Sequence, residues 1–218
     1  MIPQVTLREA LADPALLGGT LLGDSWRTWR IMLMCIMGEE LTEDELATYT
    51  ALTGRLTSPD KPVAEAVLAV GRRGGKSRAL SVLTAYIAAL CQHPNLAKGD
   101  KAVALMVAGD RDQATVDLDY ASAVIGESPV LDQMIVSRVA DELMLSNGTR
   151  TSSSRCRKPA FGWCIGSQIA NPNSWRGWTI FNTIRRAQSR GQSFSLGPGS
   201  SLMTRRASWV GSCEGCQP

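Results

Sequence analysis

The chain has 218 residues, 44% of them hydrophobic and 20% charged, which fits one soluble domain or a domain with an appendage. It has no run of about 18 apolar residues for a transmembrane helix, no basic-then-apolar leader at Met1-Ile2-Pro3-Gln4, and too few cysteines (six) for a disulfide scaffold. The formal charge of +3 is a cancellation: residues 1–151 carry 14 Lys+Arg against 19 Asp+Glu, and residues 152–218 carry 9 against 1.

In chain order, Ser25 to Met37 is apolar nearly all round, which predicts a helix packed against a core. Thr42 and Glu45 form a capping box for a second helix, with Leu41 and Leu46 placed to staple its start. Ser58-Pro59-Asp60 is loop chemistry. Pro62 to Val70 is short and Val-rich, which predicts a buried strand feeding Gly71-Arg72-Arg73-Gly74-Gly75-Lys76-Ser77 and then a helix over Arg78 to Cys91. Lys101 to Ala108 is a second buried strand, and Asp110 caps a helix through Gln113 and Leu118. Leu143 and Leu145 alternate with polar residues before Asn147-Gly148, a two-residue hairpin turn whose second arm begins at Thr149. Strands alternating with helices predict an α/β fold, a mainly parallel sheet with helices on both faces; the glycine-rich loop between strand and helix implies the P-loop NTPase type, here incomplete.

The glycine-rich segment carries the chemistry. A strand, a glycine turn and a helix start aim several backbone amides at one point, where the helix dipole adds about half a positive charge. In that geometry Gly71, Gly74 and Gly75 supply backbone that approaches phosphate closely, Lys76 reaches the β- and γ-phosphates, and Ser77 holds Mg²⁺. The pattern departs from G-x-x-x-x-G-K-[ST], because position 70 is Val70 and the first glycine comes one residue late. A basic, solvated turn at a helix start is the plainer alternative for the same residues.

The loop GRRGGKS resembles the Walker A loop of phage terminase large subunits, the motors that package viral DNA. Further segments resemble that family in the same order: Trp26-Arg27-Thr28-Trp29-Arg30 its adenine-contacting region, Gly38 to Thr42 and Leu52 to Arg55 its linker helix. Gly109 to Ala114 resembles its D-x-x-Q-A element, and Leu143 to Gly148 the hairpin before Walker B. The resemblance covers roughly residues 7–150. It implies ATP and Mg²⁺ as cofactors, with Gly71, Arg72, Arg73, Gly74, Gly75, Lys76 and Ser77 binding the nucleotide. Arg72 or Arg73 would stabilise the transferring phosphate, and Trp29 and Arg30 would lie near the base. For the tryptophans, core packing is the competing reading. By the same resemblance the partners are double-stranded phage DNA, a portal and a small terminase subunit. The setting is the cytoplasm of a bacterial host, and the assembly is a ring.

Residues 1–24 read as an N-terminal segment, 25–151 as a partial ATPase domain and 152–218 as a basic, irregular or disordered tail. Only 10 of the tail's 67 residues are Leu, Ile, Val or Phe, too few for a core. The family's Walker B run ending Asp-Glu is missing, since the one acid after Glu142 is Glu214, and so is its nuclease half. ATP turnover by this chain alone is therefore expected to be negligible. The abrupt change near Arg150 points to a shifted reading frame. An alternative function is a nucleic-acid-binding module built on the tail, where Arg155-Cys156-Arg157-Lys158, Arg185-Arg186 and Arg205-Arg206 interleave with Trp175, Trp178 and Trp209. Cys213-Glu214-Gly215-Cys216 has no partner pair for zinc.

Overall fold

The computed structural model describes residues 1–71, 73–94, 96, 100–108, 111–155, 163–167 and 176–180. Its N-terminal third is helical, and each helix has a local start or stop signal. Thr6 and Glu9 form a capping box for helix α1 (Leu7–Ala12). Helix α2 (Arg27–Met37) ends at Gly38, whose φ of 70° gives the left-handed cap that glycine adopts without strain. Helix α3 (Glu43–Thr53) begins with the expected Thr42/Glu45 box and stops at Gly54, again left-handed. Leu41 and Leu46 both pack against the core beside this start.

Helix α4 (Lys76–Leu90) is the centre of the molecule. Every residue from Ala79 to Leu90 is buried, including Ser81 and Thr84, whose hydroxyls donate to the carbonyls of Asp117 and Leu80. An apolar surface all round requires neighbours all round. They are α2, helix α5 (Arg111–Gly126) and strand β3 (Val103–Ala108). The first residues of the chain also belong to this core. Strand β1 (Ile2–Pro3) pairs with β2 (Cys91–Gln92) at the end of α4, the Tyr86 hydroxyl donates to the Val5 carbonyl at 2.7 Å, and Leu7, Ala10, Leu17 and Leu21 are buried.

The main sheet adds β4 (Ile135–Val139), β5 (Glu142–Leu145), β6 (Arg150–Arg155), β7 (Trp163–Ser167) and β8 (Arg176–Ile180), in the order β4-β5-β6-β3-β7-β8. It is mixed. β3 and β6 run parallel over six residue pairs, and the β4–β5, β5–β6, β3–β7 and β7–β8 pairings are antiparallel. The parallel pair is the expected βαβ-like unit, with α5 in the crossover. Among the described residues, the helices that pack on this sheet, α4 and α5, share one face, since they also pack on each other, whereas the sequence predicts helices on both. The cause is the connections: hairpin-linked strands need no crossover helix, and the described chain has a single crossover between parallel strands.

Three further expectations are corrected. Residues 62–70 form no strand. They run half-exposed outside the sheet, with the Val63 amide donating to the Ile36 carbonyl at 3.0 Å and Val63, Ala66 and Leu68 resting on the core. Both hydrogen-bonding edges of β3 are occupied, one by β6 and the other by β7, which leaves this segment no edge to join there. The Asn147-Gly148 turn is a three-residue loop. Leu145 N donates to Thr149 O, and Gly148 is left-handed (φ 81°) while Asn147 is not, although a type I′ turn needs both. Asn147 instead uses its side chain, donating to the Ala88 carbonyl at 2.8 Å and accepting from the Thr149 amide at 2.9 Å. Lastly, the tail is not irregular throughout: β6 runs on to Arg155, and β7 and β8 form a hairpin rich in Trp, Ile and Thr, residues that favour extended backbone. The remainder of the tail and Asp110 lie outside the described residues. No helix among the described residues is long and apolar enough to cross a membrane.

Candidate functional site

The glycine-rich segment is a tight loop at the start of α4. The Gly74 amide donates to the Gly71 carbonyl at 3.2 Å, closing a turn around Arg73. Arg73 is exposed, with a φ of 61°, one of two non-glycine residues among those described with left-handed backbone. Such strain tends to collect where a loop is held in shape for a ligand. Gly75 follows at φ 75° as the N-cap of α4, so the chain makes two left-handed steps within three residues and turns sharply into the helix. Arg72 lies outside the described residues.

Two tryptophans hold this loop from the side of α2. The indole nitrogen of Trp29 donates to the Gly74 carbonyl at 2.8 Å. A Cβ on Gly75 would stand 2.7 and 2.8 Å from ring carbons of Trp26 and 3.4 Å from Trp29 Nε1. Only glycine fits there, on grounds of both space and backbone angle. Trp26 and Trp29 are half-buried and touch the hydrophobic core, so core packing and loop support are here one role. Arg30 is committed elsewhere: its guanidinium donates to the carbonyls of Leu21 at 2.6 Å and Gly23 at 2.9 Å, fixing the turn before α2.

The start of α4, like that of α2, has no side-chain cap, unlike those of α1 and α3. α1 and α3 open with reciprocal Thr/Glu boxes that satisfy their first amides. α4 opens on Gly75 with no side-chain cap and no acid in its first turn. The positive end of its dipole coincides with Lys76, Arg78 and the nearby Arg73. That arrangement repels cations and suits an anion with several oxygens.

Beneath the loop lies an acid that the sequence reading passed over. Asp117 is completely buried on α5. Burial drives its pKa up to about 7, while the Gln113 amide, the Ser77 hydroxyl and the Lys76 charge act in the opposite direction. A signal for it exists in the sequence. Ala114, Leu118, Ala121 and Ile125 make a buried stripe at helical spacing, and Asp117 is the acid within it. Gln113 donates its side-chain amide to the Asp117 carboxylate one turn further along α5, at 3.3 Å.

The structure therefore brings Gly71, Arg73, Gly74, Gly75, Lys76 and Ser77 together with Trp29, and leaves Arg30 turned to a structural task. Arg55 is exposed in the loop after α3, and Asp112 is exposed on the first turn of α5. Cys35 and Cys91 are free, buried thiols, pushed up by burial to about 11 and about 12, which keeps them protonated and unreactive. Among the described residues no group of three or more His, Cys, Asp and Glu is placed to hold a metal, and the Cys213/Cys216 pair lies outside them. Compared with protein-family models and with curated proteins, the chain matches none of them.

Proposed function

We propose that the chain is the ATP-binding part of a DNA-packaging motor of the phage terminase type. The observation that supports this best is the uncapped start of α4, where Gly75, Lys76 and Ser77 follow a strained turn braced by Trp29. Backbone amides from Gly74 to Ser77 would take the phosphate oxygens, and Lys76 would neutralise the β- and γ-phosphates. Bound magnesium would supply charge on the β- and γ-oxygens, held on the protein side by the Ser77 hydroxyl. Arg73, exposed in the loop, would meet charge developing on the outer phosphate, with Arg72 as the other candidate. Trp29 borders the loop where the base of the nucleotide would extend.

The motor assignment rests on the ordered resemblance of residues 7–150 to terminase large subunits; duplex DNA, a portal, a small subunit and a ring follow from that resemblance alone. Without a Walker B acid pair the chain binds ATP and does not turn it over at a useful rate. Isothermal titration with ATP and Mg²⁺ tests the cradle. Saturable one-site binding that Lys76→Ala weakens by about 100-fold or more supports it. Equal affinity in the two proteins rejects it.

A further inference from the structure

Trp26 and Trp29 of α2 border the glycine loop, and the strong donors beside them are already engaged within the protein. Trp29 spends its N–H on the Gly74 carbonyl at 2.8 Å. Arg30 spends its guanidinium on the carbonyls of Leu21 at 2.6 Å and Gly23 at 2.9 Å. Arg27 turns the other way, to Thr48 at 2.9 Å and to Asp44 on α3. Trp26 sets its six-membered ring against Gly75, where an added Cβ would stand 2.7 Å from it. Its N–H has no partner among the described residues.

The loop side of the site is the reverse. Arg73, Lys76 and Arg78 form no ion pair among the described residues, and α4 has no acid in its first turn. Positive charge is therefore free for phosphate. Reading a base requires hydrogen bonds to its edge, where a good bidentate pair separates one base from another by roughly 5- to 150-fold. Stacking carries no such code, since every base has a π-face. A lone N–H such as that of Trp26 finds an acceptor on any base. We propose that this site recognises nucleotides by their phosphates and accepts ATP, GTP and CTP alike, with aromatic surface but no edge-reading pair for the base. This rests on the nucleotide-binding reading of the loop.

The test is titration calorimetry of the full chain in Mg²⁺ with ATP, GTP, CTP and inorganic tripolyphosphate. The three nucleotides should bind within about fivefold of one another, and tripolyphosphate should displace ATP from the same site. Lys76→Ala should weaken all four ligands together. Trp29→Phe should lower the affinities for ATP and GTP by the same factor, because its N–H shapes the loop and does not read the base. ATP bound more than about fivefold tighter than GTP or CTP overturns the proposal and leaves the nucleotide site standing. A Trp29→Phe loss that falls on ATP alone has the same consequence, as does an ATP complex that tripolyphosphate cannot displace. Failure of all four ligands to bind removes the nucleotide reading and this proposal together.

Discussion

Trp29 on α2 donates its indole N–H to the Gly74 carbonyl, 45 residues away in sequence and 2.8 Å away in space. This bond ties the glycine loop to a helix that is itself anchored in the core by Ile31, Leu33 and Met34. The loop is consequently held in position before any ligand arrives, which lowers the ordering cost of binding.

Trp29→Phe keeps the ring and removes the donor. One neutral hydrogen bond contributes about 1 kcal/mol, so ATP affinity should fall about fivefold with little change in the far-ultraviolet circular dichroism. Titration calorimetry on the variant reads this directly; unchanged affinity would show that the loop keeps its shape without the indole.

Gly75→Ala should be far more damaging than its size suggests. Alanine at φ 75° costs about 1–2 kcal/mol in backbone strain, and its methyl group would collide with Trp26. The variant should lose at least about tenfold in ATP affinity and melt several degrees lower by differential scanning calorimetry. Trp26→Ala in the same background should restore part of the melting temperature by removing the collision.

Glu45 is held well below the usual carboxylate range, at about 2, first by the paired hydrogen bonds from Arg8 and then by the Thr42 backbone and hydroxyl. A lowered folded pKa contributes stability that is present above the ordinary value of 4.5 and is lost as pH falls toward 2. Since Arg8 is 41% exposed, the discounted contribution is about 1 kcal/mol. Glu45→Gln should therefore melt lower than the unmodified protein at pH 6, and the gap should close between pH 4.5 and pH 2.

Asp117 behaves in the opposite sense. Its pKa is raised by burial, so the fold favours the protonated acid, and stability falls as pH rises from the ordinary 3.8 through about 7. Without nucleotide or metal, Asp117→Asn should match the unmodified protein near pH 4 and melt higher at pH 8. A melting difference independent of pH would show that the carboxyl group is not titrating in the fold.

Much of this architecture is legible in the sequence because it is locally encoded. The Thr42/Glu45 box, the β3 run and the helix through Gln113 and Leu118 depend on neighbours within a turn or two, and they form where the sequence predicts. Residues 62–70 form no strand because a Val-rich run specifies extended backbone without specifying a partner, and β6 and β7 hold both edges of β3. The three-residue turn at Asn147 follows from a long-range bond to the Ala88 carbonyl, which no local pattern encodes. In the candidate site, the glycines, Lys76 and Ser77 are visible as a motif. Asp117 is not, because its role arises only when α5 is laid across α4.

The most direct test of the nucleotide cradle is covalent. An acyl-phosphate derivative of ATP transfers its acyl group to a lysine amine lying beside the bound phosphates, and peptide mass spectrometry then locates the label. Modification at Lys76, suppressed by excess ATP with Mg²⁺, is expected. Labelling spread over Lys61 and Lys101, or labelling of Lys76 that ATP does not suppress, would contradict it.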